Sequence, residues 1–439
     1  MNHRWAGLAL CLLIAVAGVS LSMSACDPCA SCSGGGGKPT GSPTPAPNAC
    51  LPSSSLSVLV QGSNATAYLP QGRWGSGSAA VNVVPIETSS GIGTGGSPVS
   101  VAVGSAPNSC SSNSTTGETV CVGSNTDVFL INGTTLTSTM NSGATGTQSF
   151  SGGICMNCGV VVDSTANKAL ITIGLDAVGN GGYQFLDLGG TPTFESPIAA
   201  GLGTSEDVSI DPVRHLLLSP NEYFENAGQS TYQIVNITTT TSPALFNNTL
   251  PAIGPQAFDS AAEDCTTGIA LATDEGTGNL FIADLTQASF TSGTPGTWTD
   301  TASQLQNFPE FDNFAAGTNG IAVAPGSHLG VVTGEFGGNL EGVIQLPATS
   351  GSGTPAVLDW VSFIVPNLPS GEVPWSQGFD PHTVTAYVSP NTKKAYGVLE
   401  NGDFSFVAIV DLQGLLSAAR TGHVVNEPLP AGLVTFVAE

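Results

Sequence analysis

Two repeated patterns in the sequence predict an all-β fold, a seven-bladed β-propeller built of four-stranded antiparallel blades. The first pattern is a short apolar strand that ends, in most copies, near an Asp, Asn or Gln. It occurs seven times, around Pro85, Asn132, Asp187, Asn236, Asp284, Gln345 and Asp411, at spacings of 47 to 66 residues. A repeat of this size is too small to bury its own faces, so successive copies must pack on one another in a ring.

The second pattern is a glutamate that stands eleven residues after the residue that starts the first turn of a copy. Each glutamate closes a predicted second strand and supports the register of the first pattern. The pairs are Asp211 and Glu222, Asp264 and Glu275, Ala324 and Glu335, and Ser389 and Glu400. Within one unit, residues 205–237, three short apolar segments are separated by turns, as expected for the strands of a blade.

Two of the copies, residues 267–285 and 388–412, resemble the YVTN-type repeat of lactonase-like seven-bladed propellers. The resemblance extends over roughly residues 51–439 and is closest in the last five copies. It implies a propeller domain with these bounds. A repeat signature describes architecture, so it implies little about chemistry.

Residues 1–25 are expected to be an export signal, because Arg4 precedes an apolar segment, residues 5–19, that is short for a membrane span. The sequence MSAC at residues 23–26 resembles the lipobox of bacterial lipoproteins. This resemblance implies lipidation at Cys26 and a lipid-anchored location in the bacterial cell envelope, periplasmic or surface-exposed. Ordinary secretion with cleavage nearby is the alternative.

Residues 26–50 are expected to form a tether between the lipid anchor and the propeller. The segment is rich in Gly at first and in Pro later, and it has no apolar periodicity. Gly-rich chains are flexible and Pro-rich chains are stiffer, and neither kind forms a core. The propeller domain is therefore expected to start at about residue 51, with near 56 residues for each blade.

The segment 432–439 alternates between apolar and other side chains. We expect it to pair with the first blade, because an open ring would leave an exposed strand edge there. Helix signals are scarce, and residues 415–419 form the one plausible helical turn.

The formal net charge is −24, and the few basic residues are dispersed along the sequence. This composition argues against nucleic acid and anionic lipid as partners, because binding to phosphates requires clustered Lys and Arg. Contact with a lipid membrane is therefore expected only through the Cys26 anchor. The other partner is an unidentified protein or small-molecule ligand.

Apart from the cysteines of the signal and the lipobox, eight cysteines remain, an even number that predicts disulfides in an exported chain. Cys110 and Cys121 flank a polar insertion and are expected to staple that hairpin. Cys155 and Cys158 open the third blade, and a disulfide is favoured there over a redox or zinc motif because no His follows. The pairing of Cys29, Cys32, Cys50 and Cys265 stays open, with Cys50 and Cys265 a candidate pair by elimination.

Acidic side chains are expected around the central channel, which the first strand of each blade lines. Glu206, Asp259 and Asn319 stand five residues before the turn-starting residue in three successive copies, so they should surround one channel mouth. Asp380 and His382 join them if the last copy has a longer approach. Oxygen-rich clusters suit a hard cation, so Glu206, Asp259, Asn319 and Asp380 form a candidate calcium site.

Simpler roles are the alternative for these acidic residues. The glutamates of the second pattern can accept backbone N–H bonds in tight turns. The inner residues can hold channel water instead of a cation.

Two functions remain open at this point. Lactonase-like relatives are thought to work through acidic, His and Arg groups in the channel, and here His382 is the candidate catalytic residue, with no Arg beside it. Arg214, His215 and His328 fall in turns at the opposite face. The first function is a binding or scaffold protein, and the second is a calcium-dependent, lactonase-like hydrolase. A serine hydrolase is excluded, because no G-x-S-x-G follows a strand and precedes a helix.

Overall fold

The computed structural model of the protein describes residues 56–72, 78–123, 127–141, 157–173, 182–196, 198–199, 207–221, 231–238, 244–246, 258–274, 277–286, 289–291, 297–299, 303–309, 317–334, 340–350, 357–364, 384–400, 406–418, 424–425 and 432–439. These residues all belong to one unit of the chain, Thr44–Glu439. The predicted export signal, Cys26 and the tether lie outside the described residues.

Seven antiparallel sheets, one for each repeat, form a ring of blades, and this confirms the predicted seven-bladed β-propeller. In blades 1 and 3, two short strands share the outer position beside the third strand. Blade 1 comprises β1 Ser57–Gln61, β2 Asn64–Pro70, β3 Ala80–Thr88, β4 Gly91–Ile92 and β5 Val99–Ala102. Blade 2 comprises β6 Pro107–Ser112, β7 Glu118–Gly123, β8 Asp127–Asn132 and β9 Thr135–Asn141. Blade 3 comprises β10 Asn157–Asp163, β11 Lys168–Ile173, β12 Gly182–Asp187, β13 Thr193–Phe194 and β14 Ile198–Ala199.

The remaining blades follow the same plan with two additions. Blade 4 comprises β15 Ser209–Asp211, β16 Leu216–Asn221, β17 Thr231–Asn236 and β18 Ala244–Phe246. Blade 5 comprises β19 Phe258–Asp264, β20 Ile269–Asp274, β21 Asn279–Asp284 and β24 Ser303–Asn307, with the hairpin β22 Ser289–Thr291 and β23 Thr297–Thr299 before β24. Blade 6 comprises β25 Thr318–Ala324, β26 Leu329–Gly334, β27 Leu340–Gln345 and β28 Asp359–Ile364, with β32 Val424–Val425 added in parallel. Blade 7 comprises β29 Val384–Val388, β30 Ala395–Leu399, β31 Phe406–Asp411 and β33 Val434–Ala438.

All seven apolar segments of the first sequence pattern are the third strands of their blades. Their side chains face a neighbouring blade on both sides of the sheet, and in β31 all six residues are buried. Strands buried on both faces read as continuous apolar runs, which is why the pattern was visible in the sequence. In six copies the polar residue of the pattern is the last residue of the strand.

The turn between the first and second strands has a common backbone geometry in blades 2 to 7. One residue of each turn has a positive φ, which Gly and Asn adopt at lower cost than most residues. These residues are Gly117, Asn167, His215, Gly268, His328 and Lys393, with φ between 54° and 80°. In five blades, a side-chain oxygen of the residue that starts the turn accepts hydrogen bonds from backbone N–H groups of the turn. The accepting residues are Asn113, Asp163, Asp211, Asp264 and Ser389. We call the side of the ring with these turns the turn face, and the opposite side the mouth face.

A hydrophobic cluster fills each of the seven interfaces between neighbouring blades. The cluster between blades 5 and 6, for example, includes Leu271 and Val323. The interface between blades 7 and 1 is built in the same way, with Leu69 and Val398 among its buried residues. The first strands contact one another around the ring in the order β1, β6, β10, β15, β19, β25, β29 and again β1, so they enclose the central channel.

The prediction that residues 432–439 pair with the first blade is wrong. β33 pairs with β31 and supplies the outer strand of blade 7. Phe436 packs edge-on against Phe406 there, with 5.0 Å between the ring centroids. Alternation shows which side chains face a core, but it does not identify the neighbouring strand.

A short helix, α1, spans Leu412–Ser417 and begins three residues before the predicted helical turn. Asp411, the last residue of β31, is its N-cap, and the carboxylate accepts a hydrogen bond from the Gly414 N–H. Within the ranges that the structure describes, no helix has both the length and the apolar character needed to cross a membrane.

Polar contacts reinforce the seam between blades 7 and 1, where no strands pair in the described part of the chain. Glu87 is fully buried, and its Oε1 accepts hydrogen bonds from Ser389 Oγ at 2.5 Å and Asn391 Nδ2 at 2.8 Å. Asn391 Nδ2 also lies 2.8 Å from the carbonyl oxygen of Ser63. Burial raises the pKa of the neighbouring Tyr387, and the nearby Glu87 carboxylate raises it further. The seam therefore combines an apolar interface with a buried hydrogen-bonded carboxylate.

A second carboxyl group lies at the same seam. Glu439 Oε1 accepts hydrogen bonds from Gln71 and, at 3.4 Å, from Asn82 Nδ2 of blade 1. Burial raises the pKa of Glu439 to about 7. The seam consequently does not have to bury a full negative charge at this residue near neutral pH.

Replacing Asn391 with Ala should lower the free energy of unfolding by about 1–3 kcal/mol, because Glu87 stays buried and loses a donor. Asn307→Ala is the control, since it removes an exposed amide contact inside blade 5 and should cost less than about 0.5 kcal/mol. Urea unfolding followed by circular dichroism measures both losses. A loss for Asn391→Ala no larger than that of the control would show that the seam does not depend on this contact.

Candidate functional site

A β-bulge recurs at the start of the first strand in blades 2, 3, 5 and 6. Each bulge includes the residue that stands five positions before the turn-starting residue. These residues are Asn108, Cys158, Asp259 and Asn319. They lie towards the mouth face, because each first strand ends at the turn face. Bulges commonly re-aim a side chain beside a functional site, so this position is the candidate site.

A threonine of the second strand holds the bulge in three of these four blades. The threonine Oγ1 accepts a hydrogen bond, 2.7 to 3.0 Å long, from the backbone N–H of the residue that follows the bulge position. The same Oγ1 lies 3.3 to 3.4 Å from the carbonyl oxygen of this residue. The pairs are Thr172 with Gly159, Thr273 with Ser260, and Thr333 with Gly320. These threonines can be recognised in the sequence, because each is a polar residue in a mostly apolar second strand.

Blades 4 and 5 place two buried carboxylates beside one hydroxyl group at the mouth. Asp207 and Asp259 expose 3% and 0% of their surface. Ser260 Oγ lies 3.1 Å from Asp207 Oδ2 and 3.2 Å from Asp259 Oδ2. The hydroxyl has one hydrogen, so it can be fully donated to only one carboxylate at a time. The two blades are tied together here, since the Ala261 N–H donates to the Asp207 carbonyl oxygen at 3.0 Å.

The structure describes two of the four predicted calcium ligands and places them at equivalent points. Asp259 and Asn319 are fully buried residues at the bulges of neighbouring blades. Glu206, Asp380 and the candidate catalytic residue His382 lie outside the described residues. Where the chain is described, no group of three His, Cys, Asp or Glu side chains is arranged to hold a metal ion. The calcium site stays a prediction.

Asn108 was not predicted, because the first two copies of the repeat resemble the others poorly. Counting five residues back from the turn-starting Asn113 identifies it. The Asn108 side chain is 7% exposed, and neither its Nδ2 nor its Oδ1 has a hydrogen-bond partner in the described part of the chain. A buried amide in this state is unusual, because buried polar groups are nearly always hydrogen-bonded.

The glutamates of the second sequence pattern are described in one blade. Glu400 follows β30 directly and exposes 2% of its surface. Glu222, Glu275 and Glu335 lie outside the described residues. The role expected for these glutamates, to accept backbone N–H bonds in tight turns, stays a prediction.

The basic residues are dispersed in the sequence, but those that the structure describes share one face of the ring. Each lies in a turn between a first and a second strand or directly after it. They are Lys168, Arg214, His215, His328, Lys393 and Lys394. The repeated turn thus collects positive charge at the turn face, opposite the carboxylates of the mouth.

Two of these basic groups join neighbouring blades through buried acids. Arg214 Nη1 lies 2.8 Å from Asp211 Oδ2 and 3.6 Å from Glu263 Oε1 in the next blade. His328 Nδ1 lies 2.6 Å from Asp264 Oδ2, between blades 6 and 5. Burial first, and Asp211 next, hold the pKa of Glu263 well above its usual value, while Arg214 acts in the opposite direction. As predicted, Arg214 and His328 are in turns remote from the mouth.

The predicted disulfide between Cys110 and Cys121 is confirmed. The two residues are direct partners on β6 and β7, and both are buried. Cys265 is also disulfide-bonded, to a cysteine whose side chain lies outside the described residues. The predicted pair of Cys155 and Cys158 is untested, because Cys155 and the side chain of Cys158 lie outside them too.

Comparison with known proteins supports the fold. No protein-family model matches the chain, and no curated protein matches it. Among solved structures, the chain is similar to Kuenenia stuttgartiensis hydrazine synthase, with a TM-score of 0.51 and 11% identity over 85% of this chain and 99% of that one. It is also similar to U3-55K, with a TM-score of 0.46 and 9% identity over 80% and 89% of the two chains. The β-propeller domain of Myceliophteria thermophila Cps50 (Swd1) gives 0.47 and 8% over 80% and 92%. At 11% identity, the likeness to the hydrazine synthase chain shows a shared fold alone.

Thr273→Val should lower the free energy of unfolding by about 1–3 kcal/mol, because the buried Ser260 N–H loses its acceptor. Hydrogen exchange at the Ser260 amide should become faster as the bulge loosens. Thr94→Val is the control, since Thr94 is exposed on blade 1 and water can replace its contacts. Urea unfolding and amide exchange followed by NMR measure the two effects. Unchanged exchange at Ser260 in Thr273→Val would contradict the role given to this threonine.

Proposed function

We propose that this protein is an extracytoplasmic, lipid-anchored β-propeller that acts as a binding or scaffold protein and holds its ligand at the mouth face. The observation that carries the proposal is the recurring bulge, which presents polar residues of separate blades at one end of the channel. Such residues keep fixed positions, because the strands that carry them are packed on both sides. Concave sites with a few convergent polar groups are typical of ligand binding.

The anchor and the tether complete this proposal. Cys26 is the lipidation site, and residues 26–50 act as the spacer between the bacterial membrane and the propeller. The ligand is a protein or a small molecule. Nucleic acid does not fit, because a chain with a formal charge of −24 repels phosphates.

Cys26→Ser should move the protein from the membrane fraction to the soluble fraction, because stable anchoring requires the acyl chains that this residue would carry. Cys29→Ser, three residues further along the tether, is the matched control and should leave the distribution unchanged. Fractionation of cells that produce the full chain, with a salt wash and immunoblotting, measures the partition. If Cys26→Ser stays in salt-washed membranes, the anchor lies elsewhere.

A calcium-dependent, lactonase-like hydrolase is the second candidate function. Asp259 and Asn319 favour it, because both carry oxygen ligands at equivalent points of adjacent blades. Glu206 and Asp380 would complete the site, and a bound calcium ion would polarise the lactone carbonyl group. His382 is the candidate to accept a proton from the attacking water.

Calcium distinguishes the two functions. For the hydrolase, calcium at about a hundredfold over its Kd should stabilise the folded state by roughly 2.7 kcal/mol, and Asp259→Asn should abolish this gain. Asp127→Asn, on the third strand of blade 2, is the control and should keep it. Thermal unfolding in calcium and in chelator, followed by a panel of lactones, measures stability and turnover. Equal melting temperatures without turnover support the binding function, and calcium-dependent hydrolysis would overturn it.

A further inference from the structure

Cys265 is a disulfide-bonded residue at the turn face of blade 5. It follows Asp264, the last residue of β19, and it exposes 2% of its surface. The sequence contains ten cysteines, so the partner of Cys265 is one of the others. Cys110 and Cys121 are excluded, because they are bonded to each other.

Cys155 and Cys158 lie too far from Cys265 to be its partner. The strand β10 runs from the mouth face to the turn face of blade 3 over seven residues, or about 20 Å. Cys158 is its second residue, and Cys155 stands two residues before the strand begins. Two residues add at most about 7 Å of reach, so even a chain that doubled back would leave Cys155 about 13 Å from the turn face. The Cα atoms of a disulfide are at most about 7 Å apart, so neither cysteine can reach Cys265.

The remaining cysteines precede the first blade. They are Cys11, Cys26, Cys29, Cys32 and Cys50. The first four belong to a separate unit of the chain, Met1–Pro43. Cys50 belongs to the same unit as Cys265, Thr44–Glu439. These positions favour Cys50 as the partner.

The position of Cys50 in the sequence limits the path of the chain that leads to it. Cys50 stands six residues before Leu56, where the described chain begins at the mouth end of blade 1. Six residues span at most about 20 Å, which is enough to follow the length of a first strand. Cys265 lies across the ring from blade 1, at the other end of the channel.

The central channel is the route that a segment of this length can take between the two points. A path around the outside of the ring would cross a four-stranded blade outward and then inward, about 15 Å each way. A path between two blades would displace the hydrophobic cluster that fills each interface.

We propose that a disulfide between Cys50 and Cys265 holds residues 50–56 inside the central channel. The segment enters at the turn face of blade 5 and reaches the mouth face at blade 1. It closes the channel to through passage, so the mouth is a pocket whose floor is formed by the chain's own N-terminal segment. The bond forms by exchange with a disulfide-containing oxidant, which takes up the two electrons and two protons that the two thiols lose. The inference depends neither on the proposed ligand nor on the lipid anchor.

Disulfide mapping of the purified full chain tests the pairing without any substitution. Free thiols are blocked at acid pH, the chain is digested under non-reducing conditions, and linked peptides are identified by mass spectrometry. A peptide that contains Cys50 should be linked to one that contains Cys265, and reduction should separate the two. A free thiol at Cys265, or a bond from it to any other cysteine, would overturn the proposal.

Thiol labelling tests the path through the channel. Ser54→Cys places a thiol within the proposed channel segment, and Ser42→Cys is the matched control in the tether. A bulky maleimide should label Ser54→Cys at least about tenfold more slowly than Ser42→Cys, because a thiol inside the ring is shielded until the structure opens locally. Disulfide mapping and circular dichroism check that each variant keeps the bond and the fold.

Breaking the disulfide provides the second comparison. When Cys50→Ser and Cys265→Ser are added to the Ser54→Cys chain, labelling should become faster, because residues 50–56 are no longer held at the turn face. Equal labelling of Ser54→Cys and Ser42→Cys with the disulfide intact would overturn the channel path, even if the mapping confirms the pairing.

Discussion

Every blade of this propeller depends on its two neighbours to bury its faces. A third strand such as β31 has buried residues on both sides of the sheet, and four strands cannot cover either side by themselves. One hydrophobic cluster at each of the seven interfaces meets this requirement. Since every sheet needs two neighbours, the ring has to close. The hydrogen bonds of Glu87 at the seam therefore act on an interface that apolar burial already demands.

The parts of the fold that the sequence predicts are those with a local cause. Third strands were recognisable because both their faces are buried, and the first turns were recognisable because residues such as Asp211 and Asp264 start them with side-chain hydrogen bonds. The partner of β33 has no local cause. The alternation of apolar and other side chains in β33 fits pairing with blade 1 as well as pairing with blade 7. The outer position beside β31 decides between the two, and β33 occupies it.

The candidate site shows the same division. Counting back from the turns places Asp259 and Asn319 at one register position, because the repeat conserves the distance between bulge and turn. The closeness of Asp207 to Ser260 was not predictable, since it depends on how blade 4 packs against blade 5. The collection of basic residues at one face was also hidden. They are far apart in the sequence, and only their common place in a repeated turn brings them to the same side.

The outer strand of blade 7 comes from its own repeat, and this has a consequence for the order of assembly. Among the described residues, no strand of the first repeat completes the last sheet, so the first repeat does not have to stay open until the last one is made. A chain that is synthesised from its N-terminal end can form one blade after another as each repeat appears. The last step is then the docking of blade 7 against blade 1, both already formed. No strand has to be inserted between two others at that step.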